Sequence, residues 1–364
     1  MGLHDTLVNH LWLGDDTDSS SIRQHADLAR FDHLHMRSIF VTGAAGFIGS
    51  HLSKVLAVQG FQVRGCDLLP APTLLALHEG RLQALTQPAG VEVMQLDICE
   101  TDALVDALSG VEAETVVHLA ALPGVRASAL RPLAYAQANL VGFTSVLEAC
   151  RRAGVKRLLY ASSSSVYGHR GGQFAESDGT GPPTSFYAAT KMANEAMALA
   201  YRSQMGLDAV GLRFFTVYGP WGRPDMAPFL FAQAIRQGRP IRLHGHGRPR
   251  RDFTYVADAV DALVRLVSLP SSLPLPDILN VGHGQPITLL EFVRLLEDAL
   301  GQSATLEMHD LPPDDVAYTC ADDRLLQRVI GPLQHTPMAQ GLGQLASWLD
   351  VWDPLPACPP ASTC

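Results

Sequence analysis

The chain has 364 residues, 47% hydrophobic and 17% charged, with a formal net charge of −9, so it is long and apolar enough for one large domain or two joined ones. An acidic protein without a Lys/Arg cluster is a poor partner for nucleic acid, and the one basic run, Arg248-Pro249-Arg250-Arg251, suits a small anionic ligand instead. The cysteines (Cys66, Cys99, Cys150, Cys320, Cys358, Cys364) show neither metal-ligand nor disulfide-framework spacing, no apolar stretch reaches the ~18 residues of a membrane span, and residues 1–35 lack the pattern of a signal peptide; a cytoplasmic enzyme without metal or membrane association is expected.

Residues 1–35 read as an extension ahead of the fold, which begins near Met36. A short apolar strand at 38–42 ends in a glycine turn, and residues 47–59 have helical character. Further strands are expected at 61–66, 91–96, 115–119, 157–162 and 208–214, with helices at 101–109, 134–153 and around 186–205. Strands alternating with helices at this spacing predict an α/β fold with a Rossmann-type, doubly wound parallel sheet over residues 36–215. After residue 216 Gly and Pro cluster and the elements shorten, which predicts a smaller C-terminal substrate-binding lobe over 216–350, with some elements returning to the main sheet, and a Pro-rich tail over 351–364. Ligands of such sheets bind at the carboxyl ends of the strands, where a second lobe closes a cleft.

Thr42-Gly43-Ala44-Ala45-Gly46-Phe47-Ile48-Gly49 follows the first strand directly and opens a helix. Glycines there let backbone N–H groups approach a pyrophosphate at the positive helix end. Asp67, at the end of the second strand, stands where a carboxylate accepts hydrogen bonds from an adenosine ribose and repels a 2′-phosphate, so NAD is expected over NADP. Asp97, after the third strand, is placed to bind the adenine amine.

Tyr187 and Lys191 occupy positions i and i+4, which share one face of a helix, so the ammonium is expected beside the phenol, lowering its pKa towards a usable base. Taken alone, so short a pattern of two common residues reads more simply as a helix with a half-buried Tyr and a solvated Lys. The run Ser162-Ser163-Ser164-Ser165 follows a buried strand and lies ahead of that helix.

With these pieces in place the chain resembles the extended short-chain dehydrogenase/reductase family of nucleotide-sugar epimerases and dehydratases, from about residue 38 to 350. The resemblance is carried by the glycine turn, His118-Leu119-Ala120-Ala121, the segment from Ala161 to Gly168, Tyr187-x-x-x-Lys191, and the segment from Arg251 to Val256. The stretch from Arg213 to Met226 is similar to the UDP-glucuronate 4-epimerases within that family. The resemblance implies NAD along Gly43, Gly46, Phe47, Ile48 and Gly49, past Asp67, Asp97 and Ile98, and over Leu119, Ala120 and Ala121. It implies Tyr187 as the base at the sugar O4, Lys191 as its partner at the nicotinamide ribose, and Ser163 as the hydroxyl that binds O4. Arg251 would meet the pyrophosphate of a UDP-sugar and Asp315 the uridine ribose.

Oxidising glucuronate at C4 gives a ketone β to the C6 carboxylate, which loses carbon dioxide when the breaking bond aligns with the ketone π system. A bidentate Arg223 and neutral donors from Thr216, Ser164 and Ser165 suit the task of holding that carboxylate out of alignment. Several positions depart from the family: Leu122 replaces a polar Gln, His244-Gly245 a Phe-Asn pair, Pro312 a Gln or Arg, and Leu68 an Asn. These changes fall on the nucleotide side. The resemblance therefore implies an NAD-dependent 4-epimerase joining UDP-glucuronate and UDP-galacturonate, with a UDP-glucuronate decarboxylase, an epimerase of another nucleotide sugar, and a non-catalytic NAD-binding protein as alternatives. It also implies a homodimer through a four-helix interface near residues 134–153 and 186–205, whose apolar faces are equally compatible with a monomer core.

Overall fold

A strand whose alternate residues enter two different cores must lie inside a sheet covered on both faces. Strand β1 (Ser38–Thr42) meets that condition: Ile39 and Val41 enter one cluster of buried side chains and Phe40 the other. The computed structural model describes residues 37–68, 72–312 and 315–352; the predicted extension over 1–35 and nearly all of the predicted tail lie outside the described residues.

The remaining strands are β2 (Gln62–Asp67), β3 (Glu92–Gln95), β4 (Thr115–His118), β5 (Arg157–Ser163), β6 (Asp208–Phe214), β7 (Thr216–Tyr218), β8 (Ile241–His244), β9 (Arg250–Arg251), β10 (Phe253–Tyr255), β11 (Ile278–Val281), β12 (Ile287–Thr288) and β13 (Leu306–His309). The main sheet has seven strands in the order β11-β6-β5-β4-β1-β2-β3, and each neighbouring pair is parallel. The order reverses at β1, so a crevice opens between the carboxyl ends of β1 and β4.

The helices are α1 (Phe47–Val58), α2 (Pro72–Arg81), α3 (Thr101–Ser109), α4 (Val125–Leu130), α5 (Pro132–Ala136), α6 (Gly142–Arg152), α7 (Phe186–Met205), α8 (Ala227–Arg236), α9 (Val256–Ser268), α10 (Leu289–Leu300), α11 (Arg324–Ile330) and α12 (Met338–Val351). Helix α7 starts where the Ser185 hydroxyl accepts from the Ala188 N–H and stops at Gly206, whose φ of 72° ends it in the left-handed region. The predicted 134–153 helix is two helices joined by a π turn over Gln137–Val141. Helix α2, running into a second π turn at Leu82–Thr86, has no counterpart in the sequence reading.

Beyond residue 216 the chain forms three two-stranded sheets, β7 with β10, β9 with β12 and β8 with β13, and returns β11 to the edge of the main sheet. One apolar cluster runs without a break from Ile39 and Val41 through Tyr218, Phe253 and Phe292 to Leu345. The small sheets are thus built onto the same core as the large one, and β7 and β12 follow in the chain from the carboxyl ends of β6 and β11.

Candidate active site

The turn between β1 and α1 folds back on itself so closely that side chains are excluded. Gly43 has φ of +73°, and a Cβ there would stand 2.7 Å from the Ala120 nitrogen; one on Gly49 would stand 2.0 Å from the Gly43 carbonyl oxygen. This packing seats the turn against Leu119 and Ala120 and points the start of α1 into the crevice. Gly46 caps α1 without a side chain and the first turn holds no acidic residue, so its N–H groups, those of Phe47 and Ile48 included, form the donor set a pyrophosphate takes. Asp67 Oδ2 accepts from the Ala45 N–H at 2.9 Å and Oδ1 from the Leu68 N–H at 2.8 Å, while Asp97 Oδ1 accepts from the Cys99 N–H at 2.9 Å. Ile98 is buried beside Asp97, and Ala121 follows the packed pair Leu119-Ala120. These residues fit a dinucleotide: a bare helix end for its phosphates and fixed carboxylates at two strand ends. Burial raises the Asp67 carboxyl above the usual range, against pulls from His78, the two N–H groups and Arg81.

Ser163 closes β5, and its Oγ accepts from the Ser165 N–H at 3.2 Å and lies 2.9 Å from Ser165 Oγ, so the serine run forms its own cap as well as facing the crevice. Tyr187 and Lys191 lie on the first two turns of α7. The Tyr187 N–H donates to Ser128 Oγ at 3.1 Å, and its ring meets Tyr135 edge-on with centroids 6.4 Å apart. Lys191 is 2% exposed, and its ammonium donates to the Ala161 carbonyl at 2.8 Å. Burial pulls its pKa from 10.5 to about 8.

One expectation needs correcting. The ammonium stands 5.9 Å from the centre of the Tyr187 ring and donates to a β5 carbonyl, and in the protein alone the phenol pKa is raised rather than lowered. Burial raises it, with the Arg223 charge and then the Ser163 hydroxyl pulling it back. The bland alternative of a solvated Lys is also excluded, because this lysine is among the largest fully buried side chains.

Arg223 Nε and Nη2 donate to the two oxygens of Asp225 at 3.0 and 2.5 Å, leaving three of its five N–H donors for another group. The pair lies against the 122–124 loop: a Cβ on Gly124 would be 3.4 Å from Arg223 Nη2 and 3.5 Å from the Tyr135 hydroxyl. Thr216 opens β7, and its N–H donates to the Asp252 carbonyl at 3.2 Å, while Ser164 lies half-buried in the turn that Ser163 caps. Arg251 and Asp315, separately expected at the two ends of a UDP group, are brought together: Arg251 Nη2 donates to Asp315 Oδ1 at 2.8 Å. Pro312 and His244 lie nearby in chain and sheet, the Asp315 N–H donating to the Pro312 carbonyl at 3.1 Å.

Two positioning groups escaped the sequence reading. Asn139, in the π turn before α6, accepts from the Leu122 N–H at 2.8 Å and donates to the Leu122 carbonyl at 3.0 Å and to Thr190 Oγ1 at 3.2 Å, tying the 122–124 loop to α7. A buried Asn within an otherwise apolar helical pattern was the available signal. Asp225 was visible in sequence but carried no assigned role. Among the described residues no cluster of three His, Cys, Asp or Glu side chains is placed to hold a metal.

A parallel sheet with the glycine turn at its switch point, and a Ser, Tyr and Lys converging at the end of β5, defines an NAD-binding enzyme of the short-chain dehydrogenase/reductase type. The chain belongs to the NAD dependent epimerase/dehydratase family, whose model matches residues 39–282, and NAD is its cofactor. Protein CapI of Staphylococcus aureus is 41% identical over 326 residues, 85% of this chain and 97% of that protein. A probable UDP-glucuronate 4-epimerase of Rhizobium meliloti (strain 1021) is 38% identical over 327 residues, 85% of this chain and 96% of that protein. Among solved structures, the UDP-glucuronic acid 4-epimerase from Bacillus cereus in complex with UDP-glucuronic acid and NAD superposes with a TM-score of 0.81 at 32% identity, covering 86% of this chain and 99% of that one.

Proposed function

We propose that the protein is an NAD-dependent 4-epimerase that interconverts UDP-glucuronate and UDP-galacturonate through a 4-keto sugar. The observation that carries this reading is the placement of Arg223, with three spare donors, against the Gly124 loop and Tyr135, whose ring in turn meets the half-buried Tyr187. Tyr187 takes the O4 proton and Ser163 Oγ binds O4. NAD, when bound, supplies a reversible hydride acceptor at C4. Lys191, its ammonium anchored on the Ala161 carbonyl, holds the ribose side of the crevice. Arg223, oriented by Asp225, takes the C6 carboxylate with Thr216, Ser164 and Ser165, and Arg251 with Asp315 takes the nucleotide. Relatives and solved structures bearing the name UDP-glucuronate 4-epimerase support the substrate.

The test is NMR of a sealed reaction with UDP-glucuronate. An axial 4-OH product supports the epimerase; a UDP-pentose with carbon dioxide would establish the decarboxylase, and an unchanged substrate would leave a non-catalytic NAD-binding protein.

A homodimer is part of the same proposal. Among the described residues the exposed large apolar side chains include Val125, Leu130, Leu133 and Val141 on α4 to α6 and Phe186, Leu199 and Met205 on α7. Apolar side chains left exposed on helices that pack side by side favour a partner over solvent. We place the protein in the cytoplasm: Cys66, Cys99, Cys150 and Cys320 are free thiols, as a reducing compartment keeps them, and no described helix is long and apolar enough to cross a membrane.

A further inference from the structure

Arg81, the last residue of α2, has no role in the mechanism above, yet it is only 8% exposed and spends its donors on the backbones of two separate loops. Its Nε and Nη2 donate to the Trp221 carbonyl at 3.0 and 2.8 Å, and Nη2 also to the Gly222 carbonyl at 3.2 Å. Nη1 reaches the Ala45 carbonyl at 3.5 Å. Ala45 belongs to the glycine turn, and its N–H is held by Asp67, so this residue is gripped from the Asp67 side and the Arg81 side together. Trp221 and Gly222 lead directly into Arg223. A single buried guanidinium therefore joins the cofactor turn to the segment that carries the carboxylate-binding arginine.

The Trp221 backbone shows independently that this segment is held from outside. Its φ of +61° lies in the left-handed region, which a bulky residue adopts only when its surroundings impose it. The Trp221 ring is enclosed by Trp348 and Trp352, with centroids 5.2 and 4.7 Å away. Gly80 stands against the same ring, where a Cβ would come within 2.6 Å of Trp221 and 3.0 Å of Trp352. Arg81 has no carboxylate within ion-pair distance among the described residues, so burying it is costly unless its fork is used on carbonyls, as it is here. Burial draws its pKa down to about 10, with Asp67 opposing.

We propose that Arg81 is a positioning residue that sets Arg223 relative to the glycine turn, coupling cofactor occupancy to capture of the sugar carboxylate. This rests on the reading of Arg223 as the partner of that carboxylate. A lysine at the same place keeps the charge but has no planar fork with which to hold two successive carbonyls.

The holoenzymes to compare are wild type, Arg81→Lys and Arg81→Met, with UDP-glucuronate as substrate. For Arg81→Lys we expect a thermal midpoint within a few degrees of wild type, KM raised about tenfold with kcat within about threefold, and UDP-pentose with carbon dioxide appearing beside the epimer. The factor by which UDP-glucuronate tightens NAD should fall at least about fivefold, because coupling between two sites is reciprocal. A residue with only a structural role lowers the midpoint and scales turnover with the folded fraction, leaving product ratio and coupling unchanged; that result in Arg81→Lys overturns the proposal. If Arg81→Met fails to fold, the lysine variant decides. A wild type inert towards UDP-glucuronate overturns the function and the tether together, whereas an active wild type with an unchanged Arg81→Lys overturns the tether alone.

Discussion

Replacing Lys191 by Met should abolish turnover and at the same time stabilise the cofactor-free protein. The side chain is 2% exposed, and burial brings its pKa from 10.5 to about 8, which corresponds to about 3 kcal/mol of cost to the charged folded state at neutral pH. Met fills a similar volume without that charge but gives up the hydrogen bond to the Ala161 carbonyl, so the net gain at pH 7 is about 1–3 kcal/mol. The pH dependence makes the cause identifiable. A lysine with a folded pKa below its unfolded one costs stability in full below about pH 8, where both states hold the proton. Between about 8 and 10.5 the unfolded chain binds a proton the folded chain has released, so wild-type stability rises with pH relative to the variant. Paired urea or thermal unfolding of the cofactor-stripped proteins from pH 7 to 10.5 gives the difference directly, other titrating groups being common to both. The advantage of Lys191→Met should shrink as pH rises through that window; a difference that stays flat, or a variant less stable at every pH, refutes the account of Lys191 as a destabilising buried ammonium.

The remaining predictions concern chemistry, specificity and assembly. Tyr187→Phe should lower kcat by about 10²–10⁴ with NAD still bound, as expected for loss of an acid–base group, and a variant with full turnover would mean that the base lies elsewhere. Arg223→Met should divert UDP-glucuronate from epimer to UDP-pentose, read by NMR, because the C6 carboxylate is then free to align with the ketone; an unchanged product ratio removes Arg223 from the carboxylate site. Arg213→Leu leaves Glu195 buried after losing its 2.8 Å partner and should cost about 3–5 kcal/mol in an unfolding titration, whereas a loss under 1 kcal/mol would show that Ser162 alone satisfies the carboxylate. Leu133→Asp, on an 85% exposed side chain, should convert a dimer to a monomer in light scattering with the fold intact, and a monomeric wild type would end that part of the proposal.

Much of the site was legible because its parts are local in sequence. The glycine turn, Asp67 and the Tyr187–Lys191 spacing each follow from one strand end or one helical turn, and α7 spans the residues its pattern indicated. The sense of the Tyr187 shift was not legible, because it depends on burial and on where the ammonium points, neither of which is written in an i, i+4 spacing. Helix α2 was missed for a related reason: it follows a Pro-rich segment and its apolar face is weakly patterned, so only packing against Trp221 and Trp352 marks it. Arg81 lay further still from sequence, since its partners are backbone carbonyls in the glycine turn and in the Trp221 segment, and any residue type supplies a carbonyl.

The paired arginines bear on how such a site serves two epimers. Arg223 and Arg251 are each paired with a carboxylate of the chain, Asp225 and Asp315, at 2.5 and 2.8 Å. An unpaired arginine would bind a trianionic sugar nucleotide more tightly, but its long side chain would also follow the sugar as it turns. Asp225 fixes the plane of Arg223 before the substrate arrives, so the energy of binding is spent on a defined carboxylate position rather than on ordering the side chain. Removing Asp225 should therefore strengthen attraction and loosen placement together: Asp225→Asn is expected to lower KM for UDP-glucuronate while raising the share of decarboxylated product. A variant in which both KM and product ratio match wild type would show that Arg223 keeps its position without Asp225, and that the packing of Trp221 and the fork of Arg81 suffice to hold it.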